Sequence, residues 1–490
     1  MIAKTSAQEA GTVKAAGDRK RWLALGVLCS GTLMIVLDTT IVNVALPSIR
    51  TDLKFSETAL AWVVNAYMLT FGGFLLLGGR LGDLFGHRRM FLSGITLFTL
   101  ASLACGLSGT QFFLVAARGV QGLGGAVVSA VVLSLMMNMF TEPGERAKAM
   151  GVYSFVCAGG GSIGVVLGGL LTSALNWHWI FLVNLPVGVL VFALSLPLLP
   201  PARAAAGSGR LDLAGAVTVT AALLLAVYAI VNGNQAGWTS AQTLGLLGGS
   251  AALLALFLGL EARVATPLVP LGMFRRRNLA FANVMGVLWA AAMFAWFFLS
   301  ALYLQLVLGY SPLQVGLSFL PCNLIMAAFS LGWSARIVMK FGIRLPLGVG
   351  LGLVAAGLLW LSRAPVQGTY LLHVLPCMIL GGLGAGIALN PLLLAAMNDV
   401  GTEDSGLASG LVNTSFMMGG ALGLAILASL AAARTTSLLA AGSEKLAGLN
   451  GGYQAAFQMG ALFAAVAAAL GWGVIRARVA PGAEAPGGMH

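Results

Sequence analysis

Apolar positions along this chain come in long runs, and nearly all of the charge, together with much of the Pro, falls in the short stretches between them. The runs lie near residues 22–49, 58–79, 90–109, 111–140, 147–175, 179–199, 212–232, 243–261, 279–307, 314–336, 345–362, 370–397, 406–432 and 453–475. A bilayer core about 30 Å thick needs roughly 20 apolar residues per helical crossing, so each run is predicted to be a transmembrane helix. The fold class is therefore an all-α integral membrane protein with fourteen crossings. Residues 1–21 read as an N-terminal tail and 22–199 as a first six-helix bundle. Residues 200–211 (PPARAAAGSGRL) read as a linker, 212–261 as an inserted two-helix hairpin, and 262–278 as a second linker ending in three arginines. Residues 279–475 then form a second six-helix bundle, and 476–490 a C-terminal tail. Two bundles around a central site is how secondary transporters alternate access, and the hairpin is expected to lie outside that pathway.

Composition fits the bilayer reading. Of 490 residues, 59% are hydrophobic and 9% charged, where a soluble domain carries about a quarter charged. Residues 1–21 are polar and lack the apolar core and small-residue site of a secretory signal. The net charge of +12 does not imply nucleic acid, because Lys and Arg are spread over many short loops. With both termini placed in the cytoplasm, 21 of these cations fall inside and 5 outside, with Arg118 left within a span. That bias predicts a multi-pass protein of the cell membrane with both ends cytoplasmic. The five cysteines all fall in apolar runs, so no disulfide framework is expected. No phosphate-binding loop with its Lys is present, and the four histidines lack metal-ligand spacing. A G-x-S-x-G match at Gly160, Ser162 and Gly164 lacks the strand-to-helix turn of a nucleophile elbow. An enzyme, a resident cofactor and a bound metal are not expected.

Within the spans one acid stands out. Asp38, in LDTTIVNVALP, is the only acidic residue placed well inside an apolar run, and an intramembrane carboxylate costs at least about 2.5 kcal/mol on insertion scales. Arg118, in LVAARGVQGLGGA, lies in the fourth run. Counted at 1.5 Å per residue, Asp38 is about 16 Å and Arg118 about 11 Å from the outer ends of their helices. Burial favours a protonated carboxyl and a nearby cation favours an ionised one, an opposition that suits a site taking up and releasing protons. Depth alone does not establish contact between the two.

The connection after the second run, GRLGDLFGHRR, holds Gly79, Asp83, Gly86, Arg88 and Arg89. It is either a gate in which Asp83 latches onto a helix end of the other bundle, or a solvated turn. In the fifth run Gly160, Gly164 and Gly168 recur every four residues, followed by Gly169. Such a stripe lets a neighbouring helix approach closely, ordinary helix packing being the simplest use. Tyr67, Gln121, Trp289, Trp296, Phe297, Tyr303, Gln305 and Asn413 are the residues expected to line a substrate cavity.

These segments together resemble the major facilitator superfamily, specifically its fourteen-span drug:proton antiporter branch. LDTTIVNVALP resembles the branch's first-span signature, GRLGDLFGHRR its loop signature, RGVQG its fourth-span Arg signature, GGGSIGVVLGG its antiporter signature and WHWIFLVNLPVG the entry to span six. The resemblance implies proton coupling at Asp38 and Arg118, a gating latch at Asp83, Arg88 and Arg89, and interdomain packing by Gly160, Gly164, Gly168 and Gly169. It implies export of small hydrophobic or amphipathic compounds, drugs or antibiotics, by a monomer that exchanges them for protons; the alternative is a transporter of a specific metabolite or self-made natural product. Departures are Val165 where the antiporter signature usually has Pro, His178 where Arg is usual, and a second-half loop, GWSARIVMKFGIR, without the Asp.

Overall fold

The computed structural model describes residues 2–200, 212–264, 267–329, 333–397, 400 and 405–475, and among them the regular structure is helical throughout. The first six long helices are α1 (Ile2–Leu53), α2 (Trp62–Phe85), α3 (His87–Gly106), α4 (Gln111–Met139), α5 (Pro143–Ala174) and α6 (Asn184–Leu198). The hairpin is α7 (Leu213–Ala236) and α8 (Ala241–Glu261). The last six are α9 (Arg277–Leu302), α10 (Pro312–Ala328), α11 (Arg344–Leu361), α12 (Leu375–Met397), α13 (Ser405–Ala440) and α14 (Lys445–Gly473).

Polar side chains at the junctions set the helix ends. Thr110 and Ser240 cap α4 and α8 by accepting from backbone N–H groups three residues on. Ser311 and Gln314 make a reciprocal capping box ahead of Pro312 at the start of α10. Gly86 alone joins α2 to α3, at φ 91°, a conformation that a residue with a Cβ adopts at a cost.

Thirteen helical segments among the described residues are long and apolar enough to cross a membrane. The expected run 314–336 differs: α10 has 17 residues, a rise of about 26 Å. Residues 330–332 lie outside the described ones, and helix Ser334–Phe341 follows them, carrying Arg336 and Lys340. Helix α10 nevertheless lies along much of α5, with Gly316 against Val165 and the Asn323 amide donating to the Gly161 carbonyl at 3.5 Å. Helix α5 runs without a break past Val165, where the signature's Pro is missing.

Side-chain-free backbone contact builds each half. A Cβ on Gly124 of α4 would lie 2.6 Å from the backbone nitrogen of Phe98 in α3, and one on Gly384 of α12 would lie 2.4 Å from the carbonyl oxygen of Gly350 in α11. In a bilayer, where lipid tails are as apolar as Leu, such close packing is a main source of helix association. The halves meet along two seams, α5 with α10 and α2 with α13, the latter through Gly72 beside Met417 and Leu76 beside Gly410. The hairpin covers the α2–α13 seam. Thr220 of α7 packs on Gly73 of α2, while the Asn234 amide donates to Ser429 of α13 at 2.7 Å to its carbonyl and 2.9 Å to its hydroxyl. Helix α8 is outermost, with only 11% of its apolar window buried.

Candidate functional site

Asp38 and Arg118 meet. Arg118 Nη1 donates to Asp38 Oδ2 at 2.5 Å, and the side chains are 1% and 0% exposed respectively. Gln121 Nε2 donates to Asp38 Oδ1 at 2.7 Å and Asn184 Nδ2 to the same oxygen at 3.2 Å. Arg118 uses its remaining reach on the first half as well, donating from Nε to the Val63 carbonyl at 2.9 Å and from Nη1 to Gln121 Oε1 at 2.6 Å. Gln121 Nε2 is also 2.8 Å from Ser102 Oγ. The guanidinium is sandwiched by rings, 4.4 Å from the Tyr67 centroid and 5.6 Å from that of Phe181. Five helical elements thus converge on one ion pair: α1, α2, α3, α4 and the entry to α6.

The donor count matters chemically. All three groups aimed at Asp38 are N–H donors, and a carboxylate has the lone pairs to accept them all. A charge-assisted cluster of this kind, sealed from water, is far stronger than its surface equivalent, and removing one charge leaves the other stranded at a cost of about 3–5 kcal/mol.

The glycine stripe seats α5 on α1 beside this pair. A Cβ on Gly160 would meet Leu33 and Val36; one on Gly164 would meet the Thr40 hydroxyl and the Leu37 carbonyl; one on Gly168 would lie 2.7 Å from the Ile41 carbonyl oxygen. The interdomain role implied for all four glycines therefore holds only for Gly169, whose Cβ would lie 2.7 Å from the Pro312 carbonyl oxygen and 2.8 Å from Leu313 Cα of α10. A four-residue period keeps the first three on one face, which turns inward to α1; Gly169 is rotated about 100° from Gly168 and so faces the other half.

In the α2–α3 connection, Asp83 is 56% exposed at its side chain and pairs with His87 Nε2 at 3.3 Å. Among the described residues no partner from the other half reaches Asp83. Arg88 holds α3 to α6 by donating to the Leu196 carbonyl at 2.5 Å, and Arg89 is exposed. Gly79 has open space around it, and Gly86 makes the turn.

The cavity candidates divide. Tyr67 and Gln121 belong to the Asp38 cluster. Trp289 lies edge-on to Phe416 with centroids 5.5 Å apart, and Trp296 and Phe297 stack toward Phe319. Tyr303 is used within the second half, its hydroxyl donating to the Pro365 carbonyl at 3.0 Å. Gln305 closes the halves together by donating to the Val44 carbonyl at 2.9 Å, near where Leu313 N–H donates to Ser173 Oγ. Asn413 is exposed. Sequence reasoning missed Asn184, Phe181 and Ser102 as partners of the ion pair, and missed Phe294 and Phe416, whose rings lie 5.8 Å apart facing Met68 across Gly420.

A multi-pass helical protein of two six-helix bundles, with a sealed ion pair in one of them, is the architecture of a membrane transporter. Residues 28–424 match the Major Facilitator Superfamily, and the chain belongs to it. It is 39% identical over 469 residues to a puromycin resistance protein of Streptomyces alboniger, covering 94% of this chain and 92% of that one. It is also 39% identical over 417 residues to a cephamycin export protein of Amycolatopsis lactamdurans, covering 84% and 85%. A crystal structure of an auto-inhibited POT family peptide transporter superposes with a TM-score of 0.63 at 15% identity, covering 94% of this chain and 98% of that one, which supports the fold.

Proposed function

We propose that this transporter exports small hydrophobic or amphipathic compounds, antibiotics among them, from the cytoplasm in exchange for protons bound at Asp38. The observation that carries the reading is the sealed Asp38–Arg118–Gln121–Asn184 cluster. Protonating Asp38 removes the negative charge that pairs with the Arg118 guanidinium and adds an O–H to a group on which three N–H donors already converge, so proton loading loosens the present arrangement of Arg118. Because α5 rests on α1 through Gly160, Gly164 and Gly168, and reaches α10 through Gly169, a change at Asp38 has a short route to the seam between the halves. The relatives named for resistance to puromycin and export of cephamycin support export of antibiotics as the direction and substrate class. The 21 to 5 distribution of cations supports cytoplasmic termini.

The substrate surface in this reading is aromatic and Met-rich: Met68 and Tyr67 from the first half, Trp289, Phe294 and Phe416 from the second. Rings and thioethers favour flat, apolar, adaptable ligands. One proton moving down about 150 mV supplies about 3.5 kcal/mol, which supports a gradient of a few hundredfold. The test is efflux from proteoliposomes holding purified protein. Substrate should move against its gradient when a proton gradient is imposed and stop when an ionophore collapses it. Transport indifferent to the ionophore would refute proton exchange.

A further inference from the structure

The hairpin carries buried acids of its own, far from Asp38 in sequence and in a different part of the fold. Asp212 opens α7 and is 6% exposed; Glu261 closes α8 and is 3% exposed. Each spends one carboxyl oxygen on backbone: Asp212 Oδ1 accepts from Gly215 N–H at 2.7 Å, and Glu261 Oε2 accepts from Val269 N–H at 3.0 Å. The other two oxygens, Asp212 Oδ2 and Glu261 Oε1, are fully buried and receive no N–H or O–H among the described residues. Both converge over the Gly215 backbone, where a Cβ would lie 2.5 Å from the first and 2.7 Å from the second, and the two carboxyl groups are within hydrogen-bonding reach of each other.

Among the described residues no cation answers them. An apolar cluster adjoins them: Ala216, next to Gly215, and Leu268, next to Val269, pack with Phe74, Leu77 and Leu81 of α2. The cations on the packed elements are Arg80 on α2 and Arg263, Arg275, Arg276 and Arg277 around the connection, and none of them bonds either carboxyl. Asp83, the other acid at this end of α2, is exposed and paired with His87. Two carboxylates facing each other in such a place cannot both be ionised, since like charges at contact in an apolar setting force one to hold a proton. One proton between the two free oxygens satisfies both, as donor from one and acceptor on the other.

We propose that Asp212 and Glu261 form a second proton-binding site, a carboxyl pair sharing one proton, that fastens the foot of the hairpin to the connection leading into the second half. The proton comes from water and forms a single O–H···O⁻ bond; the pair then carries one negative charge in place of two. Loss of the proton as pH rises sets the carboxylates against each other and frees the Val269 N–H from its acceptor. Since α7 also bridges α2 and α13, the foot is where pH acts on an element touching both halves. The site stands independently of the proposed antiport at Asp38.

The full-length protein in lipid nanodiscs tests this by infrared difference spectroscopy across a pH titration. In an Asp38→Asn background, which removes the other proposed proton site, the protein should lose a protonated-carboxyl band, of one group per chain, as pH rises. That band should be missing when Asp212→Asn or Glu261→Gln is added to the same background. Asp212→Asn keeps a helix-capping oxygen and Glu261→Gln keeps the acceptor for Val269, so both variants should fold. Hydrogen exchange at Val269 in the wild type, corrected for the base-catalysed rate, should accelerate at least about tenfold over the same pH range and stay flat in Glu261→Gln. A band that survives both additions, or an Asp38→Asn protein without one, overturns the shared proton. Exchange at Val269 that ignores the band's titration overturns its role as a fastener.

Discussion

Asp38 and Arg118, 80 residues apart in the chain, form a salt bridge of 2.5 Å that water does not reach. The pair is held entirely by residues of the first six helices, so the energy stored in it is private to one half of the molecule. Its influence on the other half passes through how α1 and α5 pack.

Arg118 should not be replaceable by Lys. Its Nε and Nη1 serve the Val63 carbonyl, Asp38 and Gln121 from one rigid plane, which a single ammonium cannot reproduce. Arg118→Gln, which strands the carboxylate, should cost about 3–5 kcal/mol. Arg118→Gln combined with Asp38→Asn should recover much of that loss. Thermal unfolding of the three variants in one detergent checks the order.

The stripe predicts a gradient of tolerance. Gly160→Ala meets the mobile ends of Leu33 and Val36, whereas Gly168→Ala meets the Ile41 carbonyl and Cα, which cannot step aside. Gly168→Ala should destabilise by about 1–3 kcal/mol and Gly160→Ala by clearly less. Gly169→Ala, pressed on α10, should slow efflux more than it lowers the melting temperature. Melting curves set beside efflux rates for the three variants separate these effects.

Asp38, Arg118 and the helix order are legible in the sequence because a charge in an apolar run is conspicuous and bilayer thickness fixes run length. Gln121 stands three residues after Arg118, hence on the same helix face, and its place beside the pair could have been read from that spacing. Asn184 could not, since hydrophobic runs carry no information about which way a helix is turned toward a distant neighbour. For the same reason Tyr303 and Gln305, expected in a cavity, are spent on the Pro365 and Val44 carbonyls.

Substrate charge should matter. Among the described residues of the last six spans no acidic side chain lies within the membrane, and an unpaired buried charge costs several kcal/mol. Neutral and singly charged compounds should therefore be exported faster than dications of similar size. Efflux rates for a matched series of the three would show it. Faster export of dications would require an acid elsewhere in the chain to reach the substrate.

The hairpin should be outside the pathway though not idle. Cysteines placed along the exposed face of α8, at Leu254 or Leu258, should label from lipid at the same rate with and without substrate. Protection by substrate at those positions would place α8 in the pathway.

The central claim, that protons drive export through Asp38, is tested most directly by Asp38→Asn in proteoliposomes under an imposed proton gradient. The substitution keeps the shape of the side chain and removes its titration. Uphill efflux should fall to the background of empty vesicles while substrate binding persists and the protein remains folded. Uphill efflux by Asp38→Asn at the wild-type rate would contradict it.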